Sequence, residues 1–205
     1  MSDGPLCILP LRSDAKVGAR YVLLEQAISR GTLTITEVSE AGSVPYLQAV
    51  NQGPWPVLIF DGEELVGAKQ NRIANATILV SVGKSVLPVS CVEQGRWSHR
   101  SAGFSAGAYA SHPTLRRQKE RQVFERSRAA TARPRAEAAS GPSSEEAQPL
   151  RARRFMSDQG RVWDEVGRSS HRLGSDSPTM AMADAYEAGK SDLEKTMQAF
   201  ALDAS

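Results

Sequence analysis

The sequence has few aromatic residues, few cysteines and no long hydrophobic run. Aromatic residues make up 6% of its 205 residues and hydrophobic residues 40%, which supports one ordinary domain with an appendage. Its apolar runs are far shorter than the about 20 residues of a membrane span. Its N-terminus lacks the basic start of a secretory signal peptide. We therefore expect a cytoplasmic protein that does not enter a membrane.

Cysteine and histidine are too sparse to indicate a metal site or a disulfide framework. Cys7 and Cys91 lie far apart without a CxxC pair, and the three histidines share no ligand spacing with the carboxylates. The sequence also lacks a GxSxG elbow, a P-loop and a GxGxxG turn. It therefore predicts no metal ion and identifies no cofactor.

The net charge of +2 hides an uneven distribution. Residues 96–135 hold 10 of the 25 Lys and Arg residues but only 2 of the 23 Asp and Glu residues. Pro113 suits the first position of a helix, and Arg116–Arg128 would give that helix a basic face. Such a run is most often a solvated face. The segment lacks the interleaved aromatic residues that would favour nucleic-acid binding. The basic helix is still compatible with a nucleic acid as a partner.

The first half of the chain indicates one helix followed by strands. Apolar spacings of four and three predict a helix that is capped by Ser13 or Asp14 and ends at Arg30. Its apolar stripe consists of Val17, Tyr21, Leu24 and Ile28. Alternating, β-branched patterns predict strands at Thr32–Val38 and Tyr46–Val50.

Two glycine-containing turns predict two antiparallel hairpins. Asp61-Gly62 is the preferred two-residue type I′ turn, and Gly83-Lys84 suits a type II′ turn. In a regular first hairpin, Glu63 and Glu64 would point to opposite faces of the sheet. That orientation argues against their acting together as an acid/base pair, because both groups would have to converge on one substrate.

The second hairpin would bring two polar motifs together. With Gly83-Lys84 as the turn, Ala74 lies opposite Glu93 and Gln70 opposite Trp97, so KQNR and EQGRW meet at the open end. Their cations and amides suit the phosphate, carboxylate or amide groups of a ligand. The candidate ligand-binding residues are Lys69, Gln70, Asn71, Arg72, Gln94, Arg96 and Trp97.

These motifs also have structural interpretations. Arg72 and Glu93 would be diagonal neighbours, and an exposed ion pair between them would contribute only about 0–1 kcal/mol. Trp97 either stacks on a base or sugar or covers the end of the sheet. Cys91 falls in an aliphatic row, which favours a buried thiol with a raised pKa over a nucleophile. Pro88 predicts an edge strand or a bulge.

The second half of the chain indicates helices and loops. Ser98–Ser111 is rich in Ser, Gly and Ala, which indicates a loop. Helices are indicated around Phe155–Val166, from Ser177-Pro178, and from a capping box at Ser191–Glu194. The last of these would carry a stripe of Leu193, Met197 and Phe200.

Together these patterns predict an α+β fold. An antiparallel β-sheet or sandwich forms the N-terminal half, with packed helices that are mostly C-terminal. We expect a main domain at residues 5–128, a flexible Ala/Pro/Ser-rich linker at 129–150, and a helical segment at 151–203 that packs on the main domain.

Three segments resemble the signature of one bacterial domain family: DGEELVGAKQNR, LPVSCVEQGRW and DQGRVWDEV. That family is named for its association with ADP-ribosylglycohydrolase and with rhodanese/phosphatase-superfamily proteins, and the resemblance spans about residues 11–200. It implies a genomic neighbourhood of ADP-ribose and phosphate chemistry and assigns no catalytic residue. It also implies a further strand-rich piece at the C-terminus, and we expect this chain to be short of that piece.

Three hypotheses for function follow. The leading one is a cytoplasmic domain that binds a phosphate-bearing small ligand linked to nucleotide or ADP-ribose metabolism. The second is a hydrolase that uses Glu63, Glu64 or Glu93 as acid/base. The third is a non-catalytic protein-interaction module. The first requires cations that a ligand can reach. The second requires two carboxylates in one cleft, and the third requires an exposed docking patch.

Overall fold

The computed structural model describes residues 20–131 and 152–200, and before them residues 2–3, 6–9, 13–14 and 18. The strands are β1 (Ser2–Asp3), β2 (Leu6–Cys7), β3 (Val22–Leu23), β4 (Leu33–Glu37), β5 (Tyr46–Asn51), β6 (Val57–Ile59), β7 (Glu63–Gly67), β8 (Arg72–Ala74), β9 (Ile78–Val80), β10 (Gly83–Cys91) and β11 (Phe104–Ala110). The helices are α1 (Leu24–Ser29), α2 (Pro113–Thr131), α3 (Gln159–Arg172), α4 (Met182–Ala188) and α5 (Lys190–Ala199), with a 3-10 turn at Arg153–Phe155.

Two sheets carry the fold. The larger has six strands in the order β11-β7-β8-β10-β5-β4, and its neighbouring strands run antiparallel. The smaller has the order β3-β6-β9, in which β3 runs parallel and β9 antiparallel to β6. Antiparallel sheets in the N-terminal part and helices mostly in the C-terminal part confirm the α+β class.

The main hydrophobic core joins the two sheets. In β4, Leu33 and Ile35 are buried, and in β5, Leu47 and Ala49 are buried, so every second side chain of each strand points inward. Val57 of the smaller sheet belongs to the same cluster. Burial of each large aliphatic side chain contributes about 1.5–3 kcal/mol, so this alternation determines which face of the sheet is buried.

A second apolar cluster joins the helices to the larger sheet. In α3, Val162 and Val166 lie one turn apart and are buried, and Asp158 caps the helix by accepting a hydrogen bond from Arg161 N at 3.2 Å. The cluster consists of Ile73, Val92, Leu115, Val162, Val166 and Met182. The C-terminal helices therefore pack on β8 and on the segment after β10.

The hairpin predicted at Asp61-Gly62 does not form. β6 pairs with β3 and β9 in the smaller sheet, whereas β7 pairs with β8 and β11 in the larger one. Glu63 N donates to Phe60 O, but of the two central residues only Gly62 has a positive φ (81°), which excludes type I′. Because VLIF is apolar on both faces, it suits the centre of a sheet, and the chain changes sheets at this turn.

The partners predicted for the hairpin at Gly83-Lys84 are also wrong. β10 begins at Gly83 and pairs with β5, while β9 pairs with β6. β8 pairs with the far end of β10, so Ala74 lies opposite Val89 and not opposite Glu93. Because the register shift is even, every side chain keeps its face of the sheet. KQNR and EQGRW therefore still reach the same end of the sheet.

Pro88 lies neither in an edge strand nor at a bulge, so both positions predicted for it are wrong. β10 lies between β8 and β5 in the larger sheet. It pairs with β5 as far as Pro88 and with β8 only from Val89 onward. The missing N–H of Pro88 therefore falls where the β8 ladder ends, and no ladder hydrogen bond is lost there.

The first helix and the Ser98–Ser111 loop also differ from prediction. Only α1 is helical, and β3 precedes it directly, so Ser13 and Asp14 do not cap it; Val17 lies outside the described residues. Ser98–Ser111 contains β11, which pairs with β7 at the edge of the larger sheet. Its Ser, Gly and Ala residues fit an edge strand, where small side chains let the backbone pack closely over β7.

The C-terminal helices begin later than predicted or lack the predicted caps. Phe155 lies in the 3-10 turn before α3, and α4 begins five residues beyond Ser177. Gly189 caps α5 directly after α4, so the capping box at Ser191 does not form. Leu193 and Met197 are 39% and 72% exposed, so their stripe does not form a buried face.

The helix predicted from Pro113 is confirmed as α2. It runs to Thr131, so the first residues of the predicted linker 129–150 are helical. The rest of that segment, from residue 132, lies outside the described residues.

Candidate functional site

The two polar motifs meet at one end of β8 and β10. After β7 the chain turns through Ala68, which has a left-handed φ of 40°, and returns along β8. Asn71 N donates to Glu93 Oε2 at 3.0 Å, and Gln70 Nε2 donates to Glu93 O at 2.9 Å. Arg96 Nη2 donates to Asn71 Oδ1 at 3.2 Å. The predicted meeting of KQNR with EQGRW is confirmed, although β8 and β10 pair in a shifted register and side-chain bonds complete the contact.

Residues 69–72 and 91–97 are called the motif cluster below, and Arg96 lies at its centre. Its Nε and Nη2 donate to the two Glu93 carboxylate oxygens at 2.9 and 2.6 Å. Its Nη1 donates to Ala68 O at 2.6 Å and to Ser98 O at 2.8 Å. The two partners are 8% and 1% exposed, and such a bidentate buried pair is strong and geometrically specific. In this conformation Arg96 therefore donates within the chain, and it fastens the turn after β7 to the segment after β10.

Two buried carboxyl groups flank Asn71 and differ in protonation. Asn71 Nδ2 donates to Glu64 Oε1 at 3.4 Å, while its backbone N donates to Glu93. Burial raises the pKa of Glu64 from 4.5 to about 7. Burial also acts to raise the pKa of Glu93, but hydrogen bonds from Arg96 and Asn71 hold that pKa below its usual range. Near pH 7, the Glu64 carboxyl group is therefore present in both its protonated and its ionised form, whereas the Glu93 carboxyl group is ionised.

Arg72 is fully buried, and its predicted ion pair with Glu93 is wrong. Nη1 donates to Gln70 Oε1 at 3.1 Å, and Nη2 lies 3.9 Å from Glu37 Oε1. Within the described part of the chain, Nε and Nη2 find no hydrogen-bond acceptor, and the Glu37 carboxylate finds no donor. Burial lowers the pKa of Arg72. Arg96, three residues after Glu93, occupies the carboxylate that the predicted register assigned to Arg72.

Cys91 lies beside Arg72 in the motif cluster. Its sulfur is 3.1 Å from Gln70 Oε1 and 3.3 Å from Glu93 O, so the S–H has two alternative acceptors. Burial raises the pKa of the thiol, and the charge of Arg72 opposes that rise. The predicted buried thiol with a raised pKa is confirmed, although these two neighbours are polar and not aliphatic.

The loop between β4 and β5, residues 38–45, packs against the motif cluster and is called the β4–β5 loop below. Lys69 Nζ donates to Glu40 O at 2.5 Å and to Ala41 O at 2.9 Å. A Cβ added at Gly42 would lie 3.3 Å from Lys69 Cδ and 3.4 Å from Trp97 Cζ2. The loop backbone is therefore in van der Waals contact with both side chains, and Lys69 holds it in place.

Trp97 lies at the rim of the motif cluster. Its ring centroid is 5.3 Å from Lys69 Nζ and 5.8 Å from Arg72 Cζ, so it contacts both cations through its π face. The residue remains 49% exposed. It therefore covers Arg72 on one side and still offers ring surface to solvent.

Two of the predicted site residues take no part in the buried network. Glu63 Oε2 accepts from Phe60 N at 2.8 Å at the crossing between the sheets, whereas Glu64 points into the motif cluster, which confirms their opposite orientations. Gln94 is exposed, and its carbonyl lies 3.5 Å from Gln70 Nε2. Of the three candidate carboxylates, Glu64 and Glu93 therefore share the cluster.

The model of the ARG and Rhodanese-Phosphatase-superfamily-associated Protein domain family matches residues 1–205. The chain belongs to this domain family. Comparison of the chain with the curated proteins and with the solved structures found no match. Two of the segments that carry the family resemblance, residues 61–72 and 87–97, contain the motif cluster.

In this member of the family, residues remote in sequence complete the cluster. Gln159, at the start of α3, donates its Nε2 to Cys91 O at 2.8 Å and accepts from Cys91 N at 2.9 Å. Thr179 Oγ1 donates to Glu93 Oε1 at 3.0 Å. Glu37 faces Arg72 from the end of β4. Of these, Gln159 alone carried a sequence signal, because it lies in the DQGRVWDEV segment.

Lys119 differs from the solvated face predicted for the basic helix. It is fully buried, and its Nζ donates to Asp61 Oδ1 at 2.7 Å and to Ala74 O at 2.5 Å. Burial lowers the pKa of Lys119, and the charge of Asp61 opposes that shift. This pair fastens α2 to the turn between the two sheets and gives Asp61 a structural role.

No group of three or more His, Cys, Asp or Glu side chains in the described part of the chain is arranged to hold a metal ion. None of the helices described there is both long and apolar enough to cross a bilayer.

Proposed function

We propose that this domain binds a phosphate-bearing small ligand and that Arg72 contacts the phosphate. The proposal rests on a guanidinium group that is 0% exposed while its Nε and Nη2 have no hydrogen-bond acceptor among the described residues. A buried donor without an acceptor costs about 1–3 kcal/mol. A phosphate supplies two acceptors in the forked geometry that arginine recognises.

The charges around Arg72 favour an anionic ligand. Glu93 is neutralised by its fork with Arg96, and burial raises the pKa of the Cys91 thiol. Glu37 is the acid nearest to Arg72 among the ion pairs of the described residues, but at 3.9 Å it forms no hydrogen bond. The two positive charges of Arg72 and Lys69 exceed the single negative charge of Glu37. A phosphate bound here therefore meets a net positive electrostatic potential.

A ligand reaches Arg72 when the β4–β5 loop opens. Lys69 holds this loop by two exposed hydrogen bonds to Glu40 and Ala41, and each contributes only about 0.5–1.5 kcal/mol net, because water replaces it. Opening leaves the Lys69 ammonium group and the Trp97 ring at the entrance. The ammonium group would then contact phosphate, and the ring would stack on a base or sugar.

A nucleotide or ADP-ribose combines the groups that these three side chains recognise. Its phosphates match Lys69 and Arg72, and its base or ribose matches the exposed half of Trp97. The family description includes a phosphatase superfamily, which supports phosphate chemistry by association.

Isothermal titration with ADP-ribose, pyrophosphate and inorganic phosphate tests this proposal. Arg72→Lys keeps the charge but removes the planar fork, so we expect binding to weaken by about tenfold or more, which is about 1.4 kcal/mol. Arg30→Lys, an exposed arginine directly after α1, is the matched control and should bind as the wild type does. Unchanged affinity in an Arg72→Lys protein with a normal melting curve would contradict the proposal.

A second candidate function is acid–base hydrolysis, and the opposite pKa shifts of Glu64 and Glu93 favour it. Two carboxyl groups whose surroundings drive their pKa values apart can act as proton donor and proton acceptor. Glu64 would supply the proton, and Glu93 would activate water. Both carboxyl groups are 1% exposed, so this reaction requires a movement of the residues that cover them.

The hydrolase candidate predicts a specific pH profile. Cleavage of an ADP-ribosyl substrate should fall as the pH rises above about 7, because Glu64 loses its proton there. Glu64→Gln should reduce the rate by about 100-fold or more while ADP-ribose still binds. Equal rates in the wild type and in Glu64→Gln would exclude this candidate.

A further inference from the structure

Helices α2 and α3 lie side by side and present arginines to a common groove. The first hollow of this groove has a volume of about 630 Å³ and lies between the two helices. Its charged lining residues are Arg117, Arg121, Glu125, Arg161 and Arg168. Arg117 and Arg121 stand one turn apart on α2, and the other two arginines come from α3, so residues about 40 positions apart in sequence converge here.

A second hollow extends the groove along α3. It has a volume of about 600 Å³ and shares Thr114 and Arg168 with the first. It adds Arg172, His171 and Glu165. The arginine groove, defined by these two hollows, is therefore longer than a site for a single phosphate group.

Five arginines outnumber two acids in the arginine groove. Arg121 pairs with Glu125 at 3.3 Å, and Arg168 and Arg172 pair with Glu165 at 2.8 and 3.4 Å. The three arginine side chains are 83%, 66% and 63% exposed. The Arg121–Glu125 pair is exposed on both sides and contributes only about 0–1 kcal/mol, so a ligand can replace Glu125 at little cost. Glu165 is buried, so it keeps Arg168 and Arg172 as partners, and a ligand contacts the donors of these two arginines that face solvent.

The lining favours phosphate over both bases and carboxylates. No aromatic side chain occurs among the described residues that line the two hollows, so base stacking is not available there. A carboxylate ligand would merely replace the exposed Glu125 with a group of the same charge. A phosphate group brings more charge and three acceptor oxygens.

We propose that the arginine groove binds a linear chain of linked phosphates, as in an inorganic polyphosphate or the phosphate chain of a nucleotide. Successive phosphates would contact arginines from α2 and α3 in turn. This site is separate from Arg72, and the inference does not depend on the function proposed above.

Titration of the full chain with inorganic tripolyphosphate tests the inference. Arg117→Ala/Arg161→Ala removes one arginine from each helix and leaves the buried Glu165 with its partners. We expect this variant to bind tripolyphosphate at least about tenfold more weakly. The control Arg30→Ala/Arg100→Ala removes the same charge from exposed positions outside the groove, and we expect less than a twofold change.

Further measurements separate the alternatives. In a protein that already carries Arg72→Lys, the Arg117→Ala/Arg161→Ala change should still weaken tripolyphosphate binding at least about tenfold, so failure of the groove and failure of the Arg72 site are distinguishable. Equal losses in the groove variant and its control would overturn the inference, because they would indicate nonspecific charge attraction. It would also be overturned if oligo-glutamate bound as tightly as tripolyphosphate, or if Arg117→Glu/Arg161→Glu, with a normal melting curve, bound tripolyphosphate normally.

Discussion

The motif cluster and the arginine groove use the same side chain in opposite ways. Arg72 and Arg96 are 0% and 8% exposed, whereas the side chains of Arg121, Arg161 and Arg168 are 83%, 67% and 66% exposed. A buried guanidinium without its partner is strongly destabilising, while an exposed one exchanges partners at little cost. The position of an arginine in the fold, and not the charge of its segment, therefore decides whether a ligand can reach it.

The largest effect should follow from removing the central buried cation. Arg96→Ala leaves the Glu93 carboxylate buried without its fork and frees the carbonyls of Ala68 and Ser98. We expect a loss of about 3–5 kcal/mol in the free energy of unfolding, measured by urea denaturation. A loss below about 1 kcal/mol would mean that the buried and exposed arginines are equivalent, and the comparison would fail.

An intermediate effect should appear in the pH dependence of Glu64. Its pKa is about 7 in the folded protein and near 4.5 when exposed, so the folded state binds more protons between these values. Its contribution to stability is thus fully present below pH 4.5 and is lost as the pH rises through 7, by about 3 kcal/mol.

Glu64→Gln tests this pH dependence, because the amide can still accept a hydrogen bond from Asn71. The variant should match the wild type at pH 4.5 and exceed its stability at pH 8. A constant difference between the two proteins from pH 4.5 to pH 8, in urea denaturation, would show that burial does not perturb this carboxyl group.

The smallest effect should come from the exposed set. A double-mutant cycle with Arg121→Ala and Glu125→Ala should give a coupling free energy of about 0.5 kcal/mol or less, because both side chains are mostly solvated. The same cycle on Arg96 and Glu93 should give several times more. A coupling above about 1 kcal/mol for the exposed pair would show that the arginine groove is more rigid than its exposure indicates.

The sequence correctly predicted those elements whose residue pattern depends only on the element itself. The strand at Tyr46–Val50 and the helix from Pro113 are confirmed as β5 and α2, because alternation and a first-position proline act within the element itself. The hairpins were wrong because a glycine turn specifies a bend and not which of two sheets receives the next strand. VLIF and ATILVSV pair with each other in the smaller sheet as β6 and β9, and no residue of either turn specifies that pairing.

The candidate site was predictable in location but not in its bonds. KQNR lies beside EQGRW because β8 pairs with β10, and the even register shift leaves each side chain on its predicted face. The partners were not predictable from pairing alone. Glu93 bonds Arg96 within its own segment, and Arg72 faces Glu37 from a strand that the hairpin register never included. Lys119 looked like its solvated neighbours because a single buried position does not change the charge pattern of a helix.

Nuclear magnetic resonance of protein labelled with ¹⁵N-arginine tests the Arg72 site most directly. The Nε–H signal of Arg72 is identified by its absence from the Arg72→Lys spectrum. With added ADP-ribose, we predict that this signal shifts in a saturable way as the phosphate takes its proton in a hydrogen bond. An unchanged Arg72 signal at saturating ADP-ribose, with shifts confined to the exposed arginines, would contradict the account.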